Sequence, residues 1–197
     1  MSRLFRCSLS IVMFMVLFPA ASATPKYVFP IEGCSVKYVR AHHDYPATDI
    51  LAKAGCKFVA VTAGVVDEVS RTDSWSGKTN LPDQRGGRFV SLIGTDGVRY
   101  YGSHLRKVAD GIAPGVNVSA GQLLGYVGSS GSARGTSPHV HFGISWPTPV
   151  SAWWVRRGEV YPWKYLDAWK ISKDLSPVKS VSAVRAKLGE LPAEPKK

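Results

Sequence analysis

Apolar positions between residues 58 and 145 come in short, valine-rich runs cut by glycine. Residues 58–69 (FVAVTAGVVDEV) predict a strand, a glycine turn and a second strand. Residues 88–93 and 98–103 predict a hairpin closed by Gly94-Thr95-Asp96-Gly97, a strong turn signal. Residues 111–128 carry Ile112, Val116, Val118, Leu123, Leu124, Tyr126 and Val127 between Pro114, Gly115, Gly121 and Gly125, the pattern of short strands with turns. Residues 140–145 predict another strand, and residues 26–39 an opening segment with one or two short ones. Two polar stretches interrupt the pattern: a long loop over 70–87, of a kind often functional in compact domains, and a flexible Gly/Ser segment over 129–137.

The C-terminal pattern differs. Trp153, Trp154, Trp163 and Trp169 fall in one stretch, which predicts an apolar flap or short helix packed on the sheet, with carbohydrate stacking as the alternative use. Beyond 176 the chain is rich in Lys, Ala, Pro and Glu, which predicts a short helix at most or disorder. The organisation expected is an all-β domain over 24–150, an aromatic extension packed on it over 151–175, and a basic flexible tail over 176–197. No internal repeat is evident.

The first residues change the picture of where the protein works. Arg3 and Arg6 precede an almost wholly apolar run over 9–18, and Ala21-Ser22-Ala23 is a small-x-small cleavage site. The run is too short to span a bilayer, so residues 1–23 read as a signal peptide of an exported protein, bound for the periplasm, the cell wall or the medium. The net charge is +11. Loss of the leader removes two arginines and no acid, leaving +9. An exported basic protein is drawn to acidic surfaces such as cell-wall polymers. No nucleic-acid-binding motif accompanies the charge, and a monomer is expected. Cys7 leaves with the leader, and the remaining pair, Cys34 and Cys56, is expected to form a disulfide in an oxidising compartment. Such a bond contributes on the order of 3 kcal/mol.

The five histidines supply the candidate chemistry: His42, His43, His104, His139 and His141. His139 and His141 alternate within a predicted strand, so both rings project from one face. His42-His43-Asp44-Tyr45-Pro46-Ala47-Thr48-Asp49 offers imidazoles and a carboxylate just before the apolar pair Ile50-Leu51, and a carboxylate beside an apolar run needs a partner such as a metal. His104 ends the second hairpin strand. Each cluster alone is weak; together they supply two histidines, one aspartate and two spare imidazoles. Two histidines, an aspartate and a water make a zinc shell with an open position. No His-Glu-x-x-His occurs, so the spare histidines would have to assist.

HHDYPATDI (42–50), VAVTAGVV (59–66), YYGSHL (100–105) and GQLLGYVGSSGSARGTSPHVHFGI (121–144) together resemble the lysostaphin-like, LytM-type zinc metallopeptidases. The resemblance covers residues 29–146. It implies a small antiparallel β-sheet groove, a barrel-sandwich hybrid of the duplicated-hybrid-motif kind, with one zinc ion at its floor. It implies Asp49 and His141 as ligands together with His42 or His43, and His104 and His139 as catalytic residues. The family's usual His-x-x-x-Asp spacing would set Tyr45 at the first ligand position; here the spacing is longer. The implied activity is hydrolysis of a peptide bond in peptidoglycan, in a stem, a crosslink or a bridge. The alternatives are a non-catalytic wall-binding module or activator of other hydrolases, and a secreted protease acting on proteins.

Overall fold

The computed structural model describes residues 26–42 and 44–195; the expected leader lies outside them. Among the described residues no helix is long and apolar enough to cross a membrane.

Among the described residues, eleven short strands, all paired antiparallel, form two sheets. The larger runs β2 (Val36–Tyr38), β3 (Thr48–Ala52), β11 (His139–Ser145), β7 (Arg99–Ser103), β6 (Phe89–Gly94), β5 (Gly64–Ser70), β9 (Asn117–Val118). The smaller runs β1 (Ile31–Glu32), β4 (Lys57–Val59), β10 (Leu123–Tyr126), β8 (Lys107–Val108). The expected groove-bearing antiparallel fold is the one observed, with no closed barrel. The predicted hairpin is β6–β7, and the glycine break after β4 leads into β5 at Gly64.

The central strands alternate as a half-buried sheet should. In β3, Thr48 and Ile50 are wholly buried while Asp49 and Leu51 face outward. Val140, Phe142 and Ile144 of β11 join Ile50 and Tyr100 in the core. Cys34 and Cys56 are bonded, with Cα atoms 6.1 Å apart, tying the loop after β1 to the start of β4.

Three helices follow the sheets: α1 (Trp153–Arg156), α2 (Trp163–Lys170) and α3 (Val178–Leu188). α2 drives Trp169 into the core, where its ring meets Tyr27 at 5.5 Å, Tyr165 at 5.9 Å, Tyr100 at 6.3 Å and Phe142 at 6.4 Å. Trp169 therefore serves packing, and the sugar-stacking use considered for it is closed by burial. The stretch expected as a flexible tail forms α3 and then docks. Val181 is buried, and the indoles of Trp146 and Trp154 donate to the carbonyls of Glu190 and Pro192. The lysine-rich composition concealed this, because scattered groups carry the contact: buried Val181, Ser180 accepting from the Tyr165 hydroxyl, and two backbone acceptors.

A buried ionic network fixes α1 to the sheet. Arg99, fully buried, donates to Asp67 at 2.7 Å, Ser91 at 2.7 Å and Glu68 at 3.2 Å. Arg156 of α1 donates to the same two carboxylates at 2.7 and 2.8 Å. Consecutive strand residues normally face opposite ways. The β5–β6 register shifts between Val66 and Glu68, and this bulge lets Asp67 and Glu68 serve the same pair of arginines.

Candidate metal centre and its groove

Three adjacent strands gather the site. The register sets Asp49 opposite His141 across β3–β11, and Ser103 opposite His141 across β11–β7. His139 lies two residues before His141, on the same face. His42, Asp49, His104, His139 and His141 all line one groove of about 1240 Å³.

His42, Asp49 and His141 each offer a donor atom within 4.8 Å of the others. Asp49 Oδ1 is 3.0 Å from His141 Nδ1 and 4.0 Å from His42 Nε2. His43, the alternative first ligand, lies outside the described residues. Two donors held by one tetrahedral zinc at about 2.1 Å stand about 3.4 Å apart, and the two observed separations bracket that value. The far side of His141 supports the same fit. Its Nε2 is 3.2 Å from the Arg157 carbonyl oxygen and 3.2 Å from the Tyr45 hydroxyl. A proton on Nε2, donated to that carbonyl, leaves the Nδ1 lone pair facing the Asp49 carboxylate. Two lone pairs so close need a proton or a metal ion between them. Burial raises the Asp49 carboxyl, but the contact with His141 and the charges of His141, His139 and His42 outweigh it and hold the group at about 2. Asp49 is thus an anion ready for a cation.

Arg157 can reach His141 because β11 carries Gly143, where a Cβ would run into the Arg157 carbonyl oxygen. The Arg157 guanidinium lies 3.9 Å over the Tyr45 ring and 4.7 Å from the Trp153 ring. The Tyr45 ring is in turn 4.6 Å from His42 and 5.5 Å from His141.

His104 follows β7 with φ of 64°, a left-handed conformation costly for a side-chain-bearing residue. Its backbone N–H donates to Gly86 at 3.0 Å, and its carbonyl accepts from Ser130 N–H at 3.3 Å. Its ring Nδ1 meets the Ser130 carbonyl at 2.8 Å. His139 Nδ1 meets the Ser137 carbonyl, also at 2.8 Å. Each ring donates its Nδ1–H to a carbonyl, which leaves Nε2 with its lone pair. The two rings lie edge to face with centroids 4.9 Å apart, and His104 is 6.1 Å from His141. Burial, reinforced by the imidazoles of His141 and His139, pushes His104 down to about 3, so it is neutral near pH 7.

The Gly/Ser segment over 129–137 is pinned, contrary to the expectation of a flexible one. Asp73 in the long loop accepts from Gly131 N–H and from Arg134 Nε, both at 3.0 Å. Ser130 Oγ accepts from Arg88 N–H at 2.9 Å. Gly131, with φ of 66°, packs against the Arg85 carbonyl where a Cβ has no room. The two polar loops are therefore crosslinked walls of the groove, and Ser130 and Ser137 on one of them orient both spare histidines. Sequence reasoning missed Asp73, Arg157 and the Asp67–Glu68–Arg99–Arg156 network. The acidic pair inside a valine-rich strand was the one local signal available for the last.

This fold and this site define the lysostaphin-like class of β-sheet peptidases. The chain belongs to peptidase family M23, whose family profile matches residues 43–152. It is 29% identical over 131 residues to the L-Ala–D-Glu endopeptidase of Bacillus subtilis (strain 168), a match covering 64% of this chain and 35% of that protein. The chain thus spans about a third of that relative's length. Among solved structures it is similar to the catalytic domain of the antimicrobial peptidase lysostaphin from Staphylococcus simulans, with 26% identity and a TM-score of 0.50, covering 67% of this chain and 92% of that one. A longer lysostaphin chain shares the fold at a TM-score of 0.55 and 24% identity, covering 80% of this chain and 60% of that one.

Proposed function

We propose that the chain is an exported, zinc-dependent endopeptidase that hydrolyses peptide bonds in bacterial peptidoglycan. The observation that carries this reading is the His42–Asp49–His141 donor set with His104 and His139 beside it in one groove. The B. subtilis relative is named for an endopeptidase activity on an L-Ala–D-Glu bond, and lysostaphin is an antimicrobial peptidase. The basic charge suits an acidic wall polymer.

His42, Asp49 and His141 would hold a zinc ion, which when bound would supply Lewis-acid activation of a water molecule and of the scissile carbonyl. The remaining work falls to this chain's own side chains. His104 and His139 have Nδ1 committed to backbone carbonyls, so Nε2 is the atom each offers to the reaction. One accepts the proton of the attacking water. The pair then stabilises the oxyanion of the tetrahedral intermediate and returns a proton to the leaving amine. Tyr45 and the Arg157 carbonyl hold the His141 ring. Asp73 and Ser130 hold the walls that orient the catalytic pair.

The test is elemental analysis of the purified mature chain, combined with muropeptide release from purified peptidoglycan with and without a chelator. One zinc per chain and chelator-sensitive release of new peptide ends are expected. Absence of both would overturn the reading in favour of a binding module.

A further inference from the structure

Among the described residues, one arginine of the groove has a guanidinium with neither a hydrogen-bond nor an ion-pair partner. Of its arginines, Arg99 and Arg156 are tied to Asp67 and Glu68, and Arg71 donates to the carbonyls of Val108, Ala109 and Ile112. Arg85 donates to Asn80. Arg157 lines the same groove, yet among the described residues no carboxylate lies within ion-pairing distance of its guanidinium. Its Nε is buried and has no hydrogen-bond partner among them. Glu159, two residues on, feels the Arg157 charge but lies beyond ion-pairing distance of it.

The guanidinium is also held in place. It lies between the rings of Tyr45 and Trp153, at 3.9 and 4.7 Å, and α1, which carries Trp153, is fastened to the sheet through Arg156. Aromatic faces orient a guanidinium and remove part of its hydration, but they satisfy none of its N–H donors. A buried donor left unpaired is costly, and a planar carboxylate meets a guanidinium with two parallel hydrogen bonds. Arg157 is one ring removed from the ligand histidine: its guanidinium stacks on Tyr45, and the Tyr45 hydroxyl touches His141. An anion bound there would lie beside the His42–Asp49–His141 donor set.

We propose that Arg157 forms an anion subsite that selects substrates carrying a free carboxylate next to the scissile bond. A γ-linked glutamyl residue keeps its α-carboxylate and meets this requirement. Its α-amide does not, and a glycine bridge offers no charge at all. The inference rests on the peptidase reading of the groove.

The test uses the full zinc-loaded chain and two synthetic peptides that differ only in a γ-linked glutamate bearing a free α-carboxylate or an α-amide. Each is made in a cleavable form and in a form N-methylated at the scissile bond, so that affinity is read apart from hydrolysis. The acid peptide is expected to bind about tenfold or more tightly than the amide, the worth of a charge-assisted pair. Arg157→Gln should bring that ratio close to one and Arg157→Lys should keep part of it, with near-ultraviolet circular dichroism reporting that both variants keep the fold. Equal affinity of the unaltered protein for the two methylated peptides would overturn the inference even if both substituted chains failed to fold. A ratio unchanged in a folded Arg157→Gln would do the same. A clear acid preference with no cleavage of either hydrolysable peptide would sink the peptidase reading and leave the anion subsite standing.

Discussion

Asp49 and His141 are register partners across the β3–β11 ladder, and their side chains meet at 3.0 Å. The backbone hydrogen bonds of two central strands thus set the spacing of two of the three donors. The third, His42, arrives from the loop between β2 and β3. Two donors are preorganised by the sheet and one by a loop packed on Tyr45.

Metal retention should depend most on the sheet-borne pair. Asp49→Ala removes the anion and leaves only two imidazole donors, a poorer zinc site. Elemental analysis after dialysis should find about one zinc per unaltered chain and well under half that in the variant. Asp49 faces the groove, away from the core. Near-native circular dichroism is therefore expected, and full zinc occupancy in Asp49→Ala would argue against this donor set.

His139 stands on the same strand face as His141 with its Nδ1 committed to Ser137. Its loss should affect the reaction rather than the metal. His139→Ala is expected to keep its zinc and lose turnover by about a hundredfold or more, the range of a general acid–base residue. A matching loss of zinc would move His139 into the ligand set; retained turnover would leave the proton chemistry to His104 alone.

The ionic network offers a test of how the groove wall is held. Asp67 accepts from both Arg99 and Arg156, and Arg99 has no exposure to water. Asp67→Asn leaves two buried guanidinium groups to share Glu68, which should destabilise the chain by about 3 kcal/mol in denaturant unfolding. Since Arg156 belongs to α1, loosening it also loosens Trp153 and, with it, the seat of Arg157.

Much of this centre was legible in the sequence, for reasons that differ by residue. His139 and His141 show their shared face through the two-residue strand period, and Asp49 shows itself as a carboxylate just before the apolar pair Ile50-Leu51. The hairpin was legible because Gly94 to Gly97 is a turn that few other structures use. What stayed hidden depends on contacts between distant segments. Asp73 reaches Gly131 across 58 positions, and His141 reaches the Arg157 carbonyl across 16. The Gly/Ser stretch read as flexible because composition reports what a backbone can do, not which carboxylate restrains it. Likewise His42 and His43 are equivalent by spacing. His42 stands beside Asp49 and His141 because its ring packs on Tyr45 and His141.

Glu159 gives the fold a pH dependence of definite sign. It is half-buried after α1, and burial pushes its carboxyl up from 4.5 to about 7, with Arg157 offsetting only part of that. A carboxyl with a folded-state pKa above its unfolded value binds protons more tightly in the native state. Its stabilising contribution is present in full below the unfolded value and is lost as pH rises through the folded one. Glu159→Gln keeps the neutral, hydrogen-bonding shape at every pH. The melting temperature of the variant relative to the unaltered chain should therefore rise between about pH 4.5 and 7 and level off above that. Differential scanning calorimetry at half-unit steps across this window would check it. A difference that stays flat would mean that the Glu159 carboxyl titrates in the folded chain as it does in the unfolded one.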